Sequence, residues 1–214
     1  YNLSGERYRI TKSGNSHFPM VPLGEVAELI RGITFAKSDQ LEQATEDSLL
    51  VATTKVAQES EIVDDSLYHI PRSLLKDERK LLRPGDILFS TANSLRLLGR
   101  TTHVQHTDRP ISFGAFMSVI RPNSRIIDGY LIRCLRTDFA SDFFLRNANT
   151  TTNISNLNLS ALAKLRLPLP PLEVQKEIVA EIEGYQKVIK GARAVLDNYR
   201  PHIPIQPEWP VAEL

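Results

Sequence analysis

Cysteine is nearly absent from this sequence, because Cys134 is the only one among 214 residues. One thiol cannot form an internal disulfide, which excludes the disulfide-stabilised secreted scaffolds and is typical of a reducing cytoplasm. No apolar run approaches the roughly 20 residues that a membrane-spanning helix needs, and the longest lies at 113–120. We therefore predict a cytoplasmic protein without a membrane partner.

The motifs of the common catalytic sites are also missing. The ten glycines are scattered and form no phosphate-binding loop, and Ser90 lacks the Gly-x-Ser-x-Gly setting of a hydrolase nucleophile. Asn-Pro-Pro-aromatic, the motif of amino-methylating DNA methyltransferases, does not occur. These absences predict that the chain is not an enzyme and holds no cofactor or metal of its own.

Two weak metal-site patterns keep an enzymatic alternative open. Glu78 and Lys80 have the Glu-x-Lys spacing of Mg²⁺-dependent nucleases, with Asp64 or Asp65 upstream as a second ligand. The competing interpretation is a solvated, charge-rich turn. The histidines at 103 and 106 could pair on a metal, but no third ligand of that kind stands near them.

Charge is balanced overall but unevenly distributed along the chain. The net charge is +1, yet residues 72–136 hold twelve Lys and Arg against five Asp and Glu. Such a segment could present a basic face to phosphates. It could equally form an ordinary mixed surface once the chain is folded.

The residues before 128 read as short strands separated by turns, and those after it as mainly helical. Runs rich in Val, Ile, Thr and Phe predict strands at 49–56, 87–91, 100–105 and 113–120. A short helix is expected at 24–29. The four-residue spacing of Leu131, Leu135, Phe139 and Phe143 predicts one helix capped by Asp128. A polar loop at 147–153, a short helix to Lys164 capped by Asn158 or Ser160, and a strand at 165–169 should follow.

The clearest pattern lies between Pro171 and Pro201. Apolar residues recur there in alternating steps of four and three, which is a heptad repeat and predicts a coiled-coil helix over 172–199. The heptad positions are Ile178, Ile182, Tyr185, Ile189, Ala192, Leu196 and Tyr199. Such a helix must bury its apolar face against something, and at about 1.5 Å per residue it is roughly 40 Å long.

The fold class predicted from these patterns is α+β, with a β-rich domain, flanking short helices and one long coiled-coil helix. The expected organisation is a lead-in linker at 1–17, the β-rich domain at 18–170, the helix at 171–200 and a final segment at 201–214. That last segment is either a linker or the start of a second copy of the domain. A second copy would explain why 208–214 repeats the aromatic-Pro…Leu pattern of 17–23, although a match this short could also be chance.

Polar loops beside the predicted strands are the candidates for binding. Amide, hydroxyl and guanidinium groups read base edges, with Asn suited to adenine and Arg to guanine. The candidates for DNA contact are Thr34, Lys37, Thr53, Lys55, Thr91, Asn93, Ser94, Arg96, Arg100, Asn147, Asn149, Thr151 and Asn153. The alternative is that Asn and Thr in these loops only stabilise turns.

Several phrases resemble the specificity subunits of type I restriction–modification systems. They include Val21-Pro-Leu-Gly-Glu-Val, Arg83-Pro-Gly-Asp-Ile-Leu-Phe-Ser and Leu167-Pro-Leu-Pro-Pro-Leu-Glu-Val-Gln, followed by the heptad helix. The resemblance covers about 18–200. The stretch at 2–8 is similar to the tail of adenine-N6 methyltransferases that carry such a domain. The chain departs from the family at 149–153, where a Gly-Ser/Thr phrase is usual.

The resemblance implies a target-recognition domain that reads one half of a split site in double-stranded DNA. The helix would set the spacing of the halves or pair with a second copy or a methyltransferase subunit. That methyltransferase, fused or separate, would carry S-adenosylmethionine, and a restriction subunit could join the complex. The alternatives from other classes are a coiled-coil protein–protein scaffold without a DNA role and the Mg²⁺-dependent nuclease.

Overall fold

A computed structural model describes residues 18–56, 62, 67–151 and 154–200. Its strands are short, as the frequent turn residues of the sequence suggested. They are β1 (Met20–Pro22), β2 (Ala27–Arg31), β3 (Ser48–Ala52), β4 (Leu67–Pro71), β5 (Ile87–Ser90), β6 (Ala92–Asn93), β7 (Thr101–His103), β8 (Ile111–Phe113), β9 (Met117–Pro122), β10 (Ala148–Thr150), β11 (Ser155–Leu157) and β12 (Arg166–Pro168). The helices are α1 (Leu23–Val26), α2 (Asp128–Leu135), α3 (Asp138–Asn147), α4 (Leu159–Leu162) and α5 (Leu172–Asn198).

These strands form four small sheets. The largest has the order β2-β9-β5-β7 and is antiparallel throughout. A second has the order β4-β3-β8, with β3 and β8 parallel. The strands β10, β11 and β6 form a third antiparallel sheet, and β1 pairs with β12. The predicted α+β class with a long final helix is confirmed by this architecture.

The main core contains side chains from the two largest sheets. Leu88 and Val119 from one sheet and Leu50 and Phe113 from the other belong to the same buried cluster. Side chains alternate between the two faces of a strand, so Leu49 and Val51 of β3 enter a second cluster on its opposite face. Strand β3 is therefore buried on both sides, which accounts for its unbroken apolar sequence.

The predicted helix at 24–29 is wrong beyond its first residues. The helix α1 ends at Val26, and Ala27–Arg31 continues as strand β2. All five residues of β2 pair with β9 in register, from Ala27 opposite Pro122 to Arg31 opposite Ser118. Pairing with a strand about ninety residues away outweighs the local preference for helix.

The other strand predictions are right in position and differ in length. The predicted run 113–120 is two strands, because a turn at 114–116 separates β8 from β9 and Met117 donates its N–H to the carbonyl of Gly114 at 2.8 Å. The strands β5 and β7 lie inside the predicted runs 87–91 and 100–105, and β3 begins one residue before the predicted run 49–56 and ends within it. The strands β1, β4, β6 and β11 were not predicted.

The helix predicted from Asp128 through Phe143 is interrupted. Helix α2 ends at Leu135, and Thr137 begins α3 by accepting a hydrogen bond from the N–H of Ala140 at 3.2 Å. The interruption rotates the apolar face, so that Ala140 and Phe144 are buried while Phe139 is 58% exposed. Asp128 is the first residue of α2 and Ile127 is its cap.

The long C-terminal helix is confirmed at Leu172–Asn198. The chain divides into two compact units, Tyr1–Lys176 and Glu177–Leu214. Within the first unit, buried Gln175 accepts a hydrogen bond from the N–H of Ile127 at 2.9 Å and donates to the carbonyls of Arg125 and Pro170. Gln175 therefore fixes the entry of the helix, which gives the Pro-Pro-Leu-Glu-Val-Gln phrase a structural role.

No helix in the described part of the chain combines the length and the apolar character that crossing a membrane would require. The predicted lead-in at 1–17 and the final segment at 201–214 lie outside the described residues, as does most of the comparison between 17–23 and 208–214.

Candidate nucleic-acid interface

Three asparagines come together at the sheet formed by β10, β11 and β6. Asn149 of β10 lies directly opposite Asn156 of β11 in the antiparallel register. Both side chains are exposed, whereas Ser155 and Leu157 on either side of Asn156 are buried. Asn158 follows the strand and caps α4 by accepting a hydrogen bond from the N–H of Ser160 at 3.0 Å.

These asparagines border a cleft of about 210 Å³, which we call the amide cleft. Its floor contains Thr91 and Ser118, which are both buried. The hydroxyl of Thr91 donates to the carbonyl of Phe116 at 3.1 Å, and the carbonyl of Thr91 accepts from the N–H of Leu157 at 2.8 Å. The lining residues are Arg31, Thr91, Ser118, Asn149, Asn156, Leu157, Asn158 and Leu159.

The rim of the amide cleft offers hydrogen-bonding groups that the described fold does not use. Arg31 lies opposite Ser118 in the β2–β9 register, and its exposed guanidinium has no ion pair among the described residues. The side chains of Asn149 and Asn156 have no hydrogen bond within the same part of the chain. An asparagine amide can pair with adenine and a guanidinium with guanine through two hydrogen bonds each. The arrangement can therefore read base edges.

A second cleft, of about 340 Å³, contains three arginines and is called the basic cleft. Arg96 and Arg100 are exposed. Arg136 donates from Nε to the hydroxyl of Thr101 at 3.0 Å and from Nη2 to its carbonyl at 2.9 Å. Burial lowers the pKa of Arg136, and neighbouring Arg133 lowers it further. The lining residues are Arg96, Leu98, Gly99, Arg100, Thr101, Leu135, Arg136 and Ser141.

The structure brings four of the predicted DNA-contact residues into these clefts. Thr91 and Asn149 line the amide cleft, and Arg96 and Arg100 line the basic cleft. Thr91 contributes to the floor, because its hydroxyl is already committed to Phe116. The predicted polar loop at 147–153 is strand from Ala148 to Thr150.

Four other predicted residues form hydrogen bonds within their own turns. The Asn93 side chain donates to Ser90 and accepts from the N–H of Ser94. Asn147 donates to the carbonyl of Phe143 at 2.8 Å, and Thr151 donates to that of Ile154 at 2.9 Å. These contacts match the turn-stabilising alternative, although exposed Ser94, Asn147 and Thr151 keep free capacity for further hydrogen bonds.

The remaining predicted residues line neither cleft. Thr34 and Lys37 are exposed after β2. Thr53 follows β3, and the ammonium group of Lys55 lies 5.3 Å from the ring centre of Tyr68. Asn153 lies outside the described residues. DNA contact by these residues stays a prediction.

Sequence reasoning missed Arg31, Asn156, Asn158 and Arg136 as site residues. Asn156 carried one usable signal, because a polar residue between Ser155 and Leu157 in a strand points away from the core. Arg136 carried none, since its place beside Arg96 and Arg100 depends on the packing of α2 against the sheet.

The residues of the nuclease alternative that the structure describes are occupied by structural contacts. The Glu78 carboxylate lies 3.6 Å from the guanidinium of Arg72, and the ammonium group of Lys80 donates to the carbonyl of Gly32 at 3.3 Å. His103 Nε2 lies 2.8 Å from the carboxylate of Asp128. Within the described ranges, no three His, Cys, Asp or Glu residues stand where they could share a metal ion. The proposed ligands Asp64 and Asp65 lie outside those ranges.

The heptad positions of α5 are poorly covered in the second unit. Tyr185 is 61% exposed and Leu196 is 74% exposed, and Ile189, Ala192 and Tyr199 are exposed as well. Ile178 and Ile182 are half-buried. An exposed apolar stripe of this length is typical of a helix that pairs with another helix.

Comparison with known proteins identifies one family, by a family model and by curated relatives. A family model for the type I restriction modification DNA specificity domain matches residues 15–196. The chain is 25% identical over 175 residues to the EcoKI specificity subunit of Escherichia coli (strain K12), covering 82% of this chain and 37% of the relative. It is 24% identical over 177 residues to the StySPI specificity subunit of Salmonella potsdam, covering 83% and 38%. The chain therefore spans less than two fifths of the length of these curated relatives.

Solved structures resemble this fold over most of the chain. A chain from a type I R-M system superposes with a TM-score of 0.63 at 20% identity, covering 88% of this chain and 43% of that chain. The HsdS subunit from Thermoanaerobacter tengcongensis gives a TM-score of 0.59 at 19% identity, covering 87% and 42%. These likenesses establish a shared fold.

Proposed function

We propose a function on the premise that this chain belongs to the family of type I restriction modification DNA specificity domains. The chain binds double-stranded DNA and selects, by sequence, the site at which a restriction–modification complex acts. It performs no chemistry itself. The main support for this proposal is the membership in the family. The side chains of Arg31, Asn149 and Asn156 in the amide cleft, which are available to bind base edges, support it further.

The catalytic work belongs to other parts of such a complex. An adenine-N6 methyltransferase, fused to this chain or bound to it, would hold S-adenosylmethionine and modify an adenine near the selected sequence. A restriction subunit would join when the DNA is to be cut. A complex that acts on cellular DNA would be located in the cytoplasm. The single cysteine of the chain is free, as is usual in that reducing compartment.

We assign the reading of bases to the amide cleft. Asn149 and Asn156 stand on paired strands, so each fixes the position of the other's backbone. A reading group held on a sheet keeps its position better than one on a loop. Arg31 adds a fork of donors that suits guanine.

We assign the spacing of half-sites to α5. A helix of 27 residues rises about 40 Å at 1.5 Å per residue, which matches about twelve base pairs at 3.4 Å each. A paired helix is stiff, whereas a flexible linker would let the two half-sites vary in separation. Pairing with the helix of a second recognition domain would fix that separation.

Selection from a pool of random duplexes tests the DNA assignment. We expect the 214-residue chain to enrich a defined short sequence, and binding to weaken as the salt concentration rises. Absence of binding, or binding that is indifferent to salt, would leave the coiled-coil scaffold as the better account.

Replacing Asn156 with alanine should relax the sequence that is selected. Loss of a two-hydrogen-bond contact to one base costs about 1–3 kcal/mol of discrimination, which is about tenfold to a hundredfold in relative affinity. The measurement is fluorescence anisotropy on the selected duplex and on versions changed at each position. Asn198→Ala is the control, because Asn198 is an exposed asparagine of α5 whose side chain, within the described residues, donates to the carbonyl of Ala194 in its own helix. Equal discrimination in both variants would remove Asn156 from the reading site.

A further inference from the structure

We propose that the basic cleft binds a phosphate of the DNA backbone, an inference that rests on the proposed function. The cleft gathers the guanidinium groups of Arg96, Arg100 and Arg136, and no carboxylate is among its lining residues. In the described part of the chain, none of these three arginines forms an ion pair. Three like charges in one cleft repel one another, so an anion between them is the natural counter-charge.

The Arg136 side chain and the backbone that carries the other two arginines are held in place before any ligand arrives. Arg136 is fixed by its two hydrogen bonds to Thr101. Arg96 lies in a tight turn, in which Leu97 and Leu98 donate their N–H groups to the carbonyl of Ser94, and Arg100 follows that turn.

The glycine in that turn lets its backbone pack closely against neighbouring elements. Gly99 has a φ of +78°, a backbone conformation that is strained for residues with a side chain. A Cβ at this position would also lie 2.5 Å from the ring of Phe144. The N–H of Gly99 also donates to the carbonyl of Ser90 at 3.0 Å. The backbone of the turn that carries Arg96 and Arg100 is thus fixed to β5 and α3, so binding would order mainly the two arginine side chains.

The chemistry of the cleft favours a phosphate over a base edge. Guanidinium groups match the geometry of phosphate oxygens through paired N–H donors. The basic cleft offers no amide and little acceptor capacity, because Thr101 already accepts from Arg136. Donors alone can pair only with the acceptor edge of guanine, whereas reading other bases also needs acceptors, which the amide cleft supplies. The lowered pKa of Arg136 is consistent with a charge that an anion would stabilise.

This assignment gives the two clefts different tasks. Phosphate contacts fix the position and orientation of a protein on the duplex and carry no sequence information. The basic cleft would therefore set the register in which the amide cleft meets the bases. It also changes the expected role of Arg96, which its loop suggested as a base reader.

The salt dependence of DNA binding by the full chain tests the proposal. We expect Arg100→Gln to weaken binding about tenfold, by the same factor on two mixed-sequence duplexes of unrelated sequence. The slope of log K against log salt, measured between about 50 and 200 mM KCl, should fall in magnitude by about 1. Arg136→Gln should do the same, and Arg100 is the safer test because its exposed side chain has no hydrogen bond or ion pair in the part of the chain that the structure describes.

Arg146→Gln is the matched control. Arg146 is an exposed arginine of α3 outside both clefts and lies 3.8 Å from the carboxylate of Asp142. It should leave both affinity and slope unchanged. If the unmodified chain binds DNA and Arg100→Gln keeps its slope, or loses affinity on one sequence only, the phosphate assignment is overturned while the proposed function stands. If the unmodified chain binds no duplex, that result contradicts both the phosphate assignment and the proposed function.

Discussion

Replacing Ile182 and Ile189 together with aspartate should convert a self-associating chain into a monomer. Both residues lie in one column of the heptad pattern on α5, so a helix pair would bury four of them. Ile182 is already half-buried and Ile189 is 51% exposed, so pairing would remove about half of each side chain from water. Four such side chains contribute about 3–6 kcal/mol, a large part of the roughly 8 kcal/mol that holds a micromolar complex together. Aspartate removes that contribution and adds the cost of burying a charge.

Light scattering of the chain at micromolar concentration is the measurement, and a halved mass is the expected result. Ala180→Asp with Ala194→Asp is the control, because both alanines are exposed and lie on the opposite side of the heptad. The control should keep the mass of the unmodified chain. An unmodified chain that is already monomeric would contradict self-pairing and direct the search to a helix of the methyltransferase.

Features with a local pattern were predictable from the sequence, and the helix α5 is the clearest of them. Its heptad repeat and its flanking prolines specify both its extent and its apolar face without reference to the rest of the chain. The strands β5 and β7 were found for the same reason, since apolar β-branched runs and turn residues mark them.

Features that depend on distant pairing were not predictable. Ala27–Arg31 has the composition of a helix and becomes strand β2 only because β9 lies beside it. The stretch at 148–150 was read as a loop for its polarity, yet pairing with β11 makes it a strand. In both cases hydrogen bonds to another strand decide the conformation.

The candidate site also contains residues that were predictable from the sequence and residues that were not. Asn149, Arg96 and Arg100 were found from residue type alone, because amides and guanidinium groups are the usual base and phosphate contacts. The sequence did not show which of these residues lie in the same cleft. Arg31, Asn156 and Arg136 reach the clefts only through sheet register and helix packing, so a sequence without coordinates could not join them to the others.

Removal of the Asp86 carboxylate should cause a large loss of stability. Asp86 is 1% exposed and binds Arg121 through two hydrogen bonds, from Nε at 2.7 Å and from Nη2 at 2.8 Å. It also accepts from the N–H of Arg83 at 2.8 Å, which closes the turn at Gly85, where φ is +89°. The Asp86–Arg121 pair thus joins the start of β5 to β9, the two strands that lead to the floor of the amide cleft.

Asp86→Ala leaves a largely buried guanidinium without its partner, for which the expected cost is about 3–5 kcal/mol. Urea unfolding should show it as a lower midpoint at an unchanged slope. Asp77→Ala is the control: Asp77 also binds an arginine, Arg79, at 2.8 Å, but that pair reaches solvent, so its loss should lower the midpoint much less. Adding Arg121→Met to Asp86→Ala should recover part of the loss, because an apolar side chain carries no buried charge. Equal losses for Asp86→Ala and Asp77→Ala would mean that water reaches Arg121 and that the turn is held by its backbone alone.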